Sequence, residues 1–295
     1  MDKISKAELD AILKMPFDLE IMGRLYYQAR ELLLGYGFDV FKPKTEERDK
    51  FVSVLLDVII KISAMKYHLK SYERYEALCI QQLKEKCGQN SHISLQAYEL
   101  LFELEAFMFQ MKSALDLAVK FLEVFFPHRF KTKTFGDLGE DLIKGLEKFK
   151  KDKNAKREIV DSIITMIRDD QTSWLKQAIR LRTSLSHFKT IAGYNYQAKK
   201  IGDKWKIIVP KIARLNVLTY METTYFNCLE FIQDFMCLVI GMFLKGFTVG
   251  IRTANVSSFG EPLNQYIKFG LALTASPVDS SEPRTPNIAD YKYKL

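Results

Sequence analysis

Neither proline nor glycine occurs from Thr45 up to Gly88. Both residue types commonly interrupt helices. Thr45 is a favourable residue for the start of a helix, and Glu46 and Glu47 place negative charge in the first turn, where it interacts well with the helix dipole. The stretch therefore predicts one long helix, and long amphipathic helices bury their apolar faces by packing into a bundle.

Further segments repeat apolar residues at three- and four-residue spacing, which is typical of one buried helix face. These segments are residues 19–33, Ser94 to Phe126, Phe135 to Phe149, Ala155 to about His187, and Leu215 to about Phe247. We assign the phenylalanines of the second segment, Phe102 and Phe109 among them, to the core, because they keep this spacing. The pattern as a whole predicts an all-α bundle of long helices.

One segment breaks the helical repeat. Between Tyr194 and Val209, apolar and polar residues alternate, and Gly202 and Asp203 occupy the centre. This pattern predicts a β-hairpin with a tight turn, inserted between two helices. We expect residues 1–90 to form helices packed on the bundle and residues 91–273 to form a helical domain with the hairpin near 194–209. Residues 274–295 are rich in serine, proline and charge, so we expect a flexible tail.

The composition predicts a soluble, cytoplasmic protein. Hydrophobic residues make up 47% of the chain, which is ample material for a core. Within Phe231 to Phe247 the longest apolar run is ten residues. Such a run is too short to cross about 30 Å of hydrocarbon, so we expect a core helix and no membrane contact. The charged N-terminus lacks the apolar segment of a secretory signal.

The cysteines and the scattered histidines give no sign of a metal site. The four cysteines form no CxxC pair, and we expect them to be reduced and buried. His68, His92 and His128 stand alone, without the spacing of a zinc site. A glycine-rich phosphate loop is also absent from the sequence. We therefore expect neither a metal nor a cofactor.

The basic character is compatible with a polyanionic partner such as RNA. The formal net charge is +8, and positive charge favours binding to phosphate backbones. Basic residues cluster at a predicted helix–loop–helix junction and in the loop before it: Lys148, Lys150, Lys151, Lys153, Lys156 and Arg157, with Lys131 and Lys133. The cluster is interpreted either as a phosphate-contacting surface or as a solvated junction, because acidic residues interrupt it.

The segment with the clearest potential for chemistry runs from Arg182 to His187, at the end of a predicted helix. An RNA phosphodiester can be cleaved without metal when one group moves protons and another holds the phosphate. Histidine suits proton transfer because its pKa lies near neutrality, and the planar guanidinium of arginine matches phosphate oxygens. Five positions on a regular helix separate two side chains by about 140°. Convergence on one phosphate therefore requires a distorted helix end or a two-fold interface, and we favour a composite site in a homodimer.

Arg182 and His187 resemble the R-x4-H signature of the HEPN superfamily, whose members are helical nucleotide-binding and ribonuclease domains. The sequence FQMKSALDLAVKFLEVFF from Phe109 to Phe126 and the sequence TFGDL from Thr134 to Leu138 are similar to the family in their order and helical setting. The resemblance covers Ser94 to Phe247, so it leaves the first ninety residues and the tail outside.

What the resemblance implies is a metal-independent endoribonuclease, of the kind found in toxin–antitoxin and phage-defence systems. In this role His187 acts as general acid or base, and Arg182 stabilises the charge that develops on the phosphate. Thr183, Ser186 and Lys189 are candidates for substrate binding, and Thr183 stands where the family often carries an amide or acid. The expected partners are RNA, a second copy of the chain, and an antitoxin or another protein.

Two alternatives stay open. In the first, the chain is a non-catalytic HEPN-like module that binds RNA, a nucleotide or a protein. In the second, it is a structural or regulatory helical protein whose hairpin and basic cluster contact another protein. His187 then interacts with the negative end of the helix dipole, and Arg182 faces solvent.

Overall fold

The computed structural model describes residues 45–87, 92–153, 155–186, 194–243, 248–252 and 270–274. Most of these residues are helical, and short antiparallel strands supply the remaining regular structure. The helical segment predicted at 19–33 lies outside the described residues. The predicted tail also lies outside them, apart from Thr274.

The structure describes helices of 10 to 42 residues. They are α1 (Thr45–Lys86), α2 (Tyr98–Phe125), α3 (Glu140–Phe149), α4 (Arg157–Asp170), α5 (Lys176–Ser186) and α6 (Val217–Phe243). A π-helical turn, Gln171–Leu175, connects α4 directly to α5, so the two helices are continuous. The helical character confirms the prediction of a mainly α fold, and α1 confirms the long helix expected after Thr45.

Two predicted helix starts are wrong. Ser94 lies in a strand rather than at the start of α2, which begins at Tyr98. Phe135 precedes α3, because Gly136 and Gly139 adopt left-handed φ angles of 71° and 75° and delay the helix until Glu140. Spacing of apolar residues alone does not reveal such backbone turns.

The strands form small antiparallel sheets beside the helices. They are β1 (His92–Leu95), β2 (Tyr196–Ile201), β3 (Lys204–Ile208), β4 (Lys211–Ile212), β5 (Leu215–Asn216), β6 (Thr248–Arg252) and β7 (Gly270–Thr274). The pair β2–β3 confirms the predicted hairpin, and Gly202 supplies the left-handed residue of its turn. The expectation of a single hairpin is wrong, because β1 adds a third strand, with Leu95 opposite Tyr196, and two further strand pairs are present.

The core lies between α1, α2 and α6. Helices α1 and α2 are antiparallel, since Lys50 pairs with Glu123 at one end and His68 pairs with Glu103 nearer the other. At the first of these ends the ring of Phe51 lies 5.5 Å from that of Phe125. Burying one such ring stabilises the fold by about 1.5–3 kcal/mol relative to leaving it exposed.

Helix α6 runs through the centre of the bundle. Among the described helices it alone is long and apolar enough to cross a membrane, and 83% of its apolar window is buried within the protein. The rings of Phe231 and Phe235 stack with their centroids 6.0 Å apart, and Phe135 meets Phe231 edge to face. This packing agrees with the predicted core helix, although α6 ends at Phe243 and Thr248 begins a strand.

Candidate functional site

Arg182 is carried by the continuous helix formed by α4, the π-helical turn and α5. A π-helical turn holds one residue more than a regular turn, so it rotates the later side chains by about 100° relative to an uninterrupted helix. The side-chain amide of Gln171 donates a hydrogen bond to the carbonyl of Leu138 and thereby ties this turn to the loop before α3. The spacing of apolar residues predicts the long helix but not the π-helical turn, and this turn determines the direction in which α5 presents Arg182.

The guanidinium of Arg182 stacks on an aromatic ring. Its Cζ atom lies 4.8 Å from the centroid of the Phe109 ring on α2. An arginine held over a ring in this way gains about 0.5–2 kcal/mol. Phe109 is thus half-buried beneath a cation, a pairing that no local sequence pattern predicts.

Arg182 has no anionic partner among the described residues. No carboxylate of these residues lies within ion-pair distance of it, and its buried Nε–H makes no hydrogen bond to them. A buried donor without an acceptor is uncommon in folded proteins and calls for an explanation. The arrangement is a fixed positive charge whose hydrogen-bonding capacity is not used by the described part of the chain.

The other predicted site residues divide into two groups. Thr183 is exposed on α5, and the hydroxyl of Ser186 donates a hydrogen bond of 2.8 Å to the carbonyl of Thr183. His187 and Lys189 lie outside the described residues. The structure therefore places Arg182, Thr183 and Ser186 on the last described turns of one helix.

Exposed aromatic side chains lie on the same helix as Phe109. Phe102 is 62% exposed and Tyr98 is 58% exposed. The expectation that Phe102 belongs to the core is wrong: helical spacing indicates a face, but it does not tell which part of that face a neighbouring helix covers. Phe102 and Phe109 are seven residues apart and share one face of α2, about 10 Å from each other along the axis.

A buried network of hydrogen-bonded hydroxyl groups connects β2, the strand that follows the Arg182 segment in the sequence, to α1. Tyr194 donates a hydrogen bond to Tyr72, the hydroxyls of Tyr72 and Tyr196 lie 2.8 Å apart, and Tyr196 donates to Glu76 Oε1 at 2.7 Å. Burial raises the pKa of the Glu76 carboxyl, the hydrogen bond from Tyr196 opposes this effect, and the nearby charge of Glu222 adds to it.

The network was missed because its members are far apart in sequence. Tyr72 and Tyr196 are separated by 124 positions, and no local pattern links them. Burial also raises the pKa of each of the three tyrosine hydroxyls well above its ordinary value, so all three remain protonated. They connect α1 to the beginning of β2.

The basic cluster predicted from the sequence is only partly a surface. Lys150 pairs with Asp161 at 2.5 Å, and the half-buried Lys156 donates to the carbonyl of Gly241 on α6. Burial lowers the pKa of Lys156. The remaining members are exposed and form no ion pair with a described residue; they are Lys131, Lys133, Lys148, Lys151, Lys153 and Arg157, and we call them the basic junction.

The histidines do not gather into a metal site in the described part of the chain. His68 Nδ1 lies 2.7 Å from Glu103 Oε2 and so connects α1 to α2. His92 is exposed in β1, and His128 has a left-handed φ of 65° in the loop after α2. Within the ranges described, no three histidine, cysteine, aspartate or glutamate side chains are placed to hold a metal ion. None of the four cysteines forms a disulfide, and three of them are buried.

Comparison with known proteins assigns no family to this chain. No protein-family model matches the sequence, and neither a curated protein nor a solved structure matches it.

Proposed function

We propose that this protein is a metal-independent endoribonuclease of HEPN type, with Arg182 and His187 as the reacting pair. The observation that carries the proposal is the guanidinium of Arg182, which is stacked on Phe109 and has no carboxylate partner among the described residues. A fixed, unneutralised guanidinium suits the bidentate binding of phosphate oxygens. The mainly helical fold is compatible with the resemblance of the sequence to HEPN domains.

The proposed reaction needs no water and no metal. The ribose 2′-oxygen attacks the adjacent phosphorus, the bond from phosphorus to the 5′-oxygen breaks, and the products carry a 2′,3′-cyclic phosphate and a 5′-hydroxyl. One proton leaves the 2′-hydroxyl and one is taken up by the 5′-oxygen. His187 serves as general base for the first transfer or general acid for the second, and Arg182 stabilises the extra negative charge on the phosphate oxygens.

A second copy of the chain completes this proposal. Because a regular helix sets positions 182 and 187 about 140° apart, a two-fold interface is the simplest way to bring both groups to one phosphate. It also supplies a second imidazole, so one histidine can act as base and the other as acid. A homodimer, a cytoplasmic location, and a role in a toxin–antitoxin or phage-defence system with an antitoxin as partner belong to the same proposal.

Substrate binding is assigned to the surface around Arg182. Thr183, Ser186 and Lys189 are the candidates for further contacts with phosphate. The exposed ring of Phe102 lies about 10 Å along α2 from Phe109, the ring beneath Arg182. Unpaired RNA bases stack on exposed aromatic rings and on arginine planes, so this surface fits a single strand.

The second candidate function is a non-catalytic module that binds RNA. It is favoured by the position of Arg182 over Phe109 and by the exposed ring of Phe102, because a guanidinium can bind a phosphate and a ring can stack on a base without any role for His187. The two candidates differ only in whether the bound strand is cut.

The test is cleavage of total RNA by the purified full chain in the presence of EDTA. We expect the wild type to cut RNA and Arg182→Ala to be slower by about 100- to 1,000-fold, the range for removing one group that stabilises a transition-state charge. His187→Ala is expected to lose comparable activity. Arg180→Ala is the matched control, because Arg180 is exposed on the same helix two residues away, and it should cut as the wild type does.

A folded wild type that leaves RNA intact removes the enzyme proposal. In that case, binding of 2′-O-methyl RNA that depends on Arg182 supports the module instead. Activity that survives both Arg182→Ala and His187→Ala places the chemistry elsewhere in the chain.

A further inference from the structure

The basic junction lies at the opposite end of the bundle from Arg182. Arg157 is the first residue of the continuous helix that ends at Ser186, and Arg182 lies 25 residues further along it. At about 1.5 Å per residue, the two arginines are separated by about 37 Å. Arg157, and the end of α3 that Lys150 holds beside Asp161 on α4, are therefore too far away to contact the same phosphate as Arg182.

The junction is held together by contacts between the segments that carry it. Arg129 in the loop after α2 pairs with Asp152 at 2.9 Å, and Lys150 pairs with Asp161 on α4. Beneath them the ring of Phe149 lies 5.1 Å from Phe130 and 5.0 Å from Phe126. These contacts bring the loop, the end of α3 and the start of α4 side by side on a packed aromatic base.

Charge is concentrated in this region. Residues 127–157 contain ten lysines and arginines against five aspartates and glutamates, a net charge of +5, whereas the whole chain carries +8. The acidic neighbours are largely engaged, because Asp152 and Asp161 pair with Arg129 and Lys150, and Glu147 lies 3.7 Å from Arg168. The six exposed cations of the basic junction are left facing solvent.

We propose that the basic junction is an anchoring surface for the phosphate backbone of an RNA strand that also binds at Arg182. This inference rests on the proposed function, since RNA is the substrate assumed there. Exposed lysines bind the backbone through charge and release counterions, without reading the bases. With a stacked rise of 3.4 Å per nucleotide, a strand needs about eleven nucleotides to cover the distance between the two sites.

The distance makes the proposal testable by substrate length. A strand of five nucleotides cannot reach both sites, whereas a strand of twenty can. The probes are a fluorescent 5-mer and 20-mer of 2′-O-methyl RNA, which bind but are not cut because the 2′-oxygen is blocked. Binding is measured by fluorescence anisotropy with the full chain over a range of salt concentrations.

The test variant is the triple substitution Lys148→Glu, Lys151→Glu and Lys153→Glu. We expect it to bind the 20-mer at least tenfold more weakly and to lower the salt slope, log Kd against log salt, by about two. The 5-mer should change by less than twofold. A second triple with glutamine at the same positions should show a smaller loss in the same direction, and circular dichroism should show both triples folded.

The matched control carries the same change in net charge on another surface. The control triple is Arg74→Glu, Lys84→Glu and Lys86→Glu. The three residues are exposed on α1, towards the end of the helix that points away from the basic junction. This triple should change 20-mer binding by less than threefold. Equal weakening by both triples, or an unchanged affinity in the junction triple, overturns the proposal. Binding of the wild type to phosphatidylserine vesicles but not to the 20-mer overturns it as well.

The outcome is separable from that of the cleavage assay. If the wild type binds the 20-mer through the junction but cuts no RNA, the enzyme proposal fails and the anchoring surface stands. If the wild type cuts RNA and the junction triple binds as the wild type does, the anchoring surface fails and the enzyme stands.

Discussion

Two ionisable side chains, the half-buried Arg182 and the buried Glu76, differ in how their hydrogen-bonding groups are satisfied. Arg182 is buried along part of its length and supported by Phe109, yet it has no acidic partner among the described residues. An arginine placed for stability alone gains by pairing with a carboxylate. The missing pair is what makes Arg182 a binding group in this account rather than a solvated cation.

The carboxyl of Glu76 is buried and accepts a hydrogen bond from Tyr196. Burial disfavours its charged form. Its pKa in the folded protein is raised by burial. A raised folded-state pKa means that the contribution of this group to stability is fully present below the unfolded pKa and is lost as pH rises through the folded value. Glu76→Gln removes this titration while keeping an acceptor for the Tyr196 hydroxyl.

We therefore expect the difference in unfolding free energy, wild type minus Glu76→Gln, to fall as pH rises from 4 to 8. Urea unfolding of both proteins at several pH values measures it. A difference that is constant over this range, or that grows with pH, contradicts the raised pKa. Glu73→Gln is a suitable control, because Glu73 is an exposed residue on the same helix.

At the scale of elements, the loop before α3 shows how glycine sets a helix boundary. Gly139 has a φ of 75°, and a Cβ atom added there would lie 2.8 Å from Cζ of the buried Phe135 ring. Gly136 has a similar φ of 71°, but an added Cβ would meet no atom within 4 Å. An alanine at either position would adopt an unfavourable left-handed φ, but its Cβ would clash with a neighbouring side chain only at position 139.

We expect Gly136→Ala to lose about 1–2 kcal/mol of unfolding free energy, the strain of a left-handed alanine. Gly139→Ala should lose at least about 1 kcal/mol more, because overpacking adds to the strain. Thermal or urea unfolding of the two variants gives the comparison. Equal losses would show that the Phe135 ring moves aside freely.

Substitution of Phe102 tests whether this part of the α2 surface is exposed rather than part of the core. Because it is 62% exposed, Phe102→Ala should change the unfolding free energy by no more than about 0.5 kcal/mol. Phe107→Ala, at a fully buried position five residues away, should lose about 3–5 kcal/mol.

In the binding assay with the 2′-O-methyl 5-mer, Phe102→Ala should weaken binding by about 1–3 kcal/mol, the value of one stacked base. Unchanged affinity contradicts a stacking role for Phe102.

The sequence predicts elements well where the signal is long and local. The helix after Thr45, the stripe of α2 and the hairpin around Gly202 were all found from spacing and turn residues. The start of α3, strand β1 and the π-helical turn were not, because they depend on a few backbone angles or on pairing with a distant segment. Arg182 was found as a candidate, whereas Phe109 beneath it and the Tyr72–Tyr196 contact arise only from packing.

At the scale of the whole molecule, the bundle separates two positively charged features by the length of one helix. Arg182 lies near one end of the continuous helix, and the basic junction lies at the other. Charge of this kind attracts polyanions over roughly a Debye length, about 8–10 Å at physiological salt, so each feature acts locally. A strand that engages both must run along the bundle, which is why substrate length is the relevant variable.

We propose that Arg182 holds an RNA phosphate while the 2′-oxygen attacks the phosphorus, and the chemistry of the fragment ends tests this step. RNA is incubated with the full chain in EDTA. We expect 2′,3′-cyclic phosphate and 5′-hydroxyl ends, with no fragments from 2′-O-methyl RNA and few from the Arg182→Ala variant. Fragments with 5′-phosphate and 3′-hydroxyl ends, or an undiminished yield from Arg182→Ala, would contradict it.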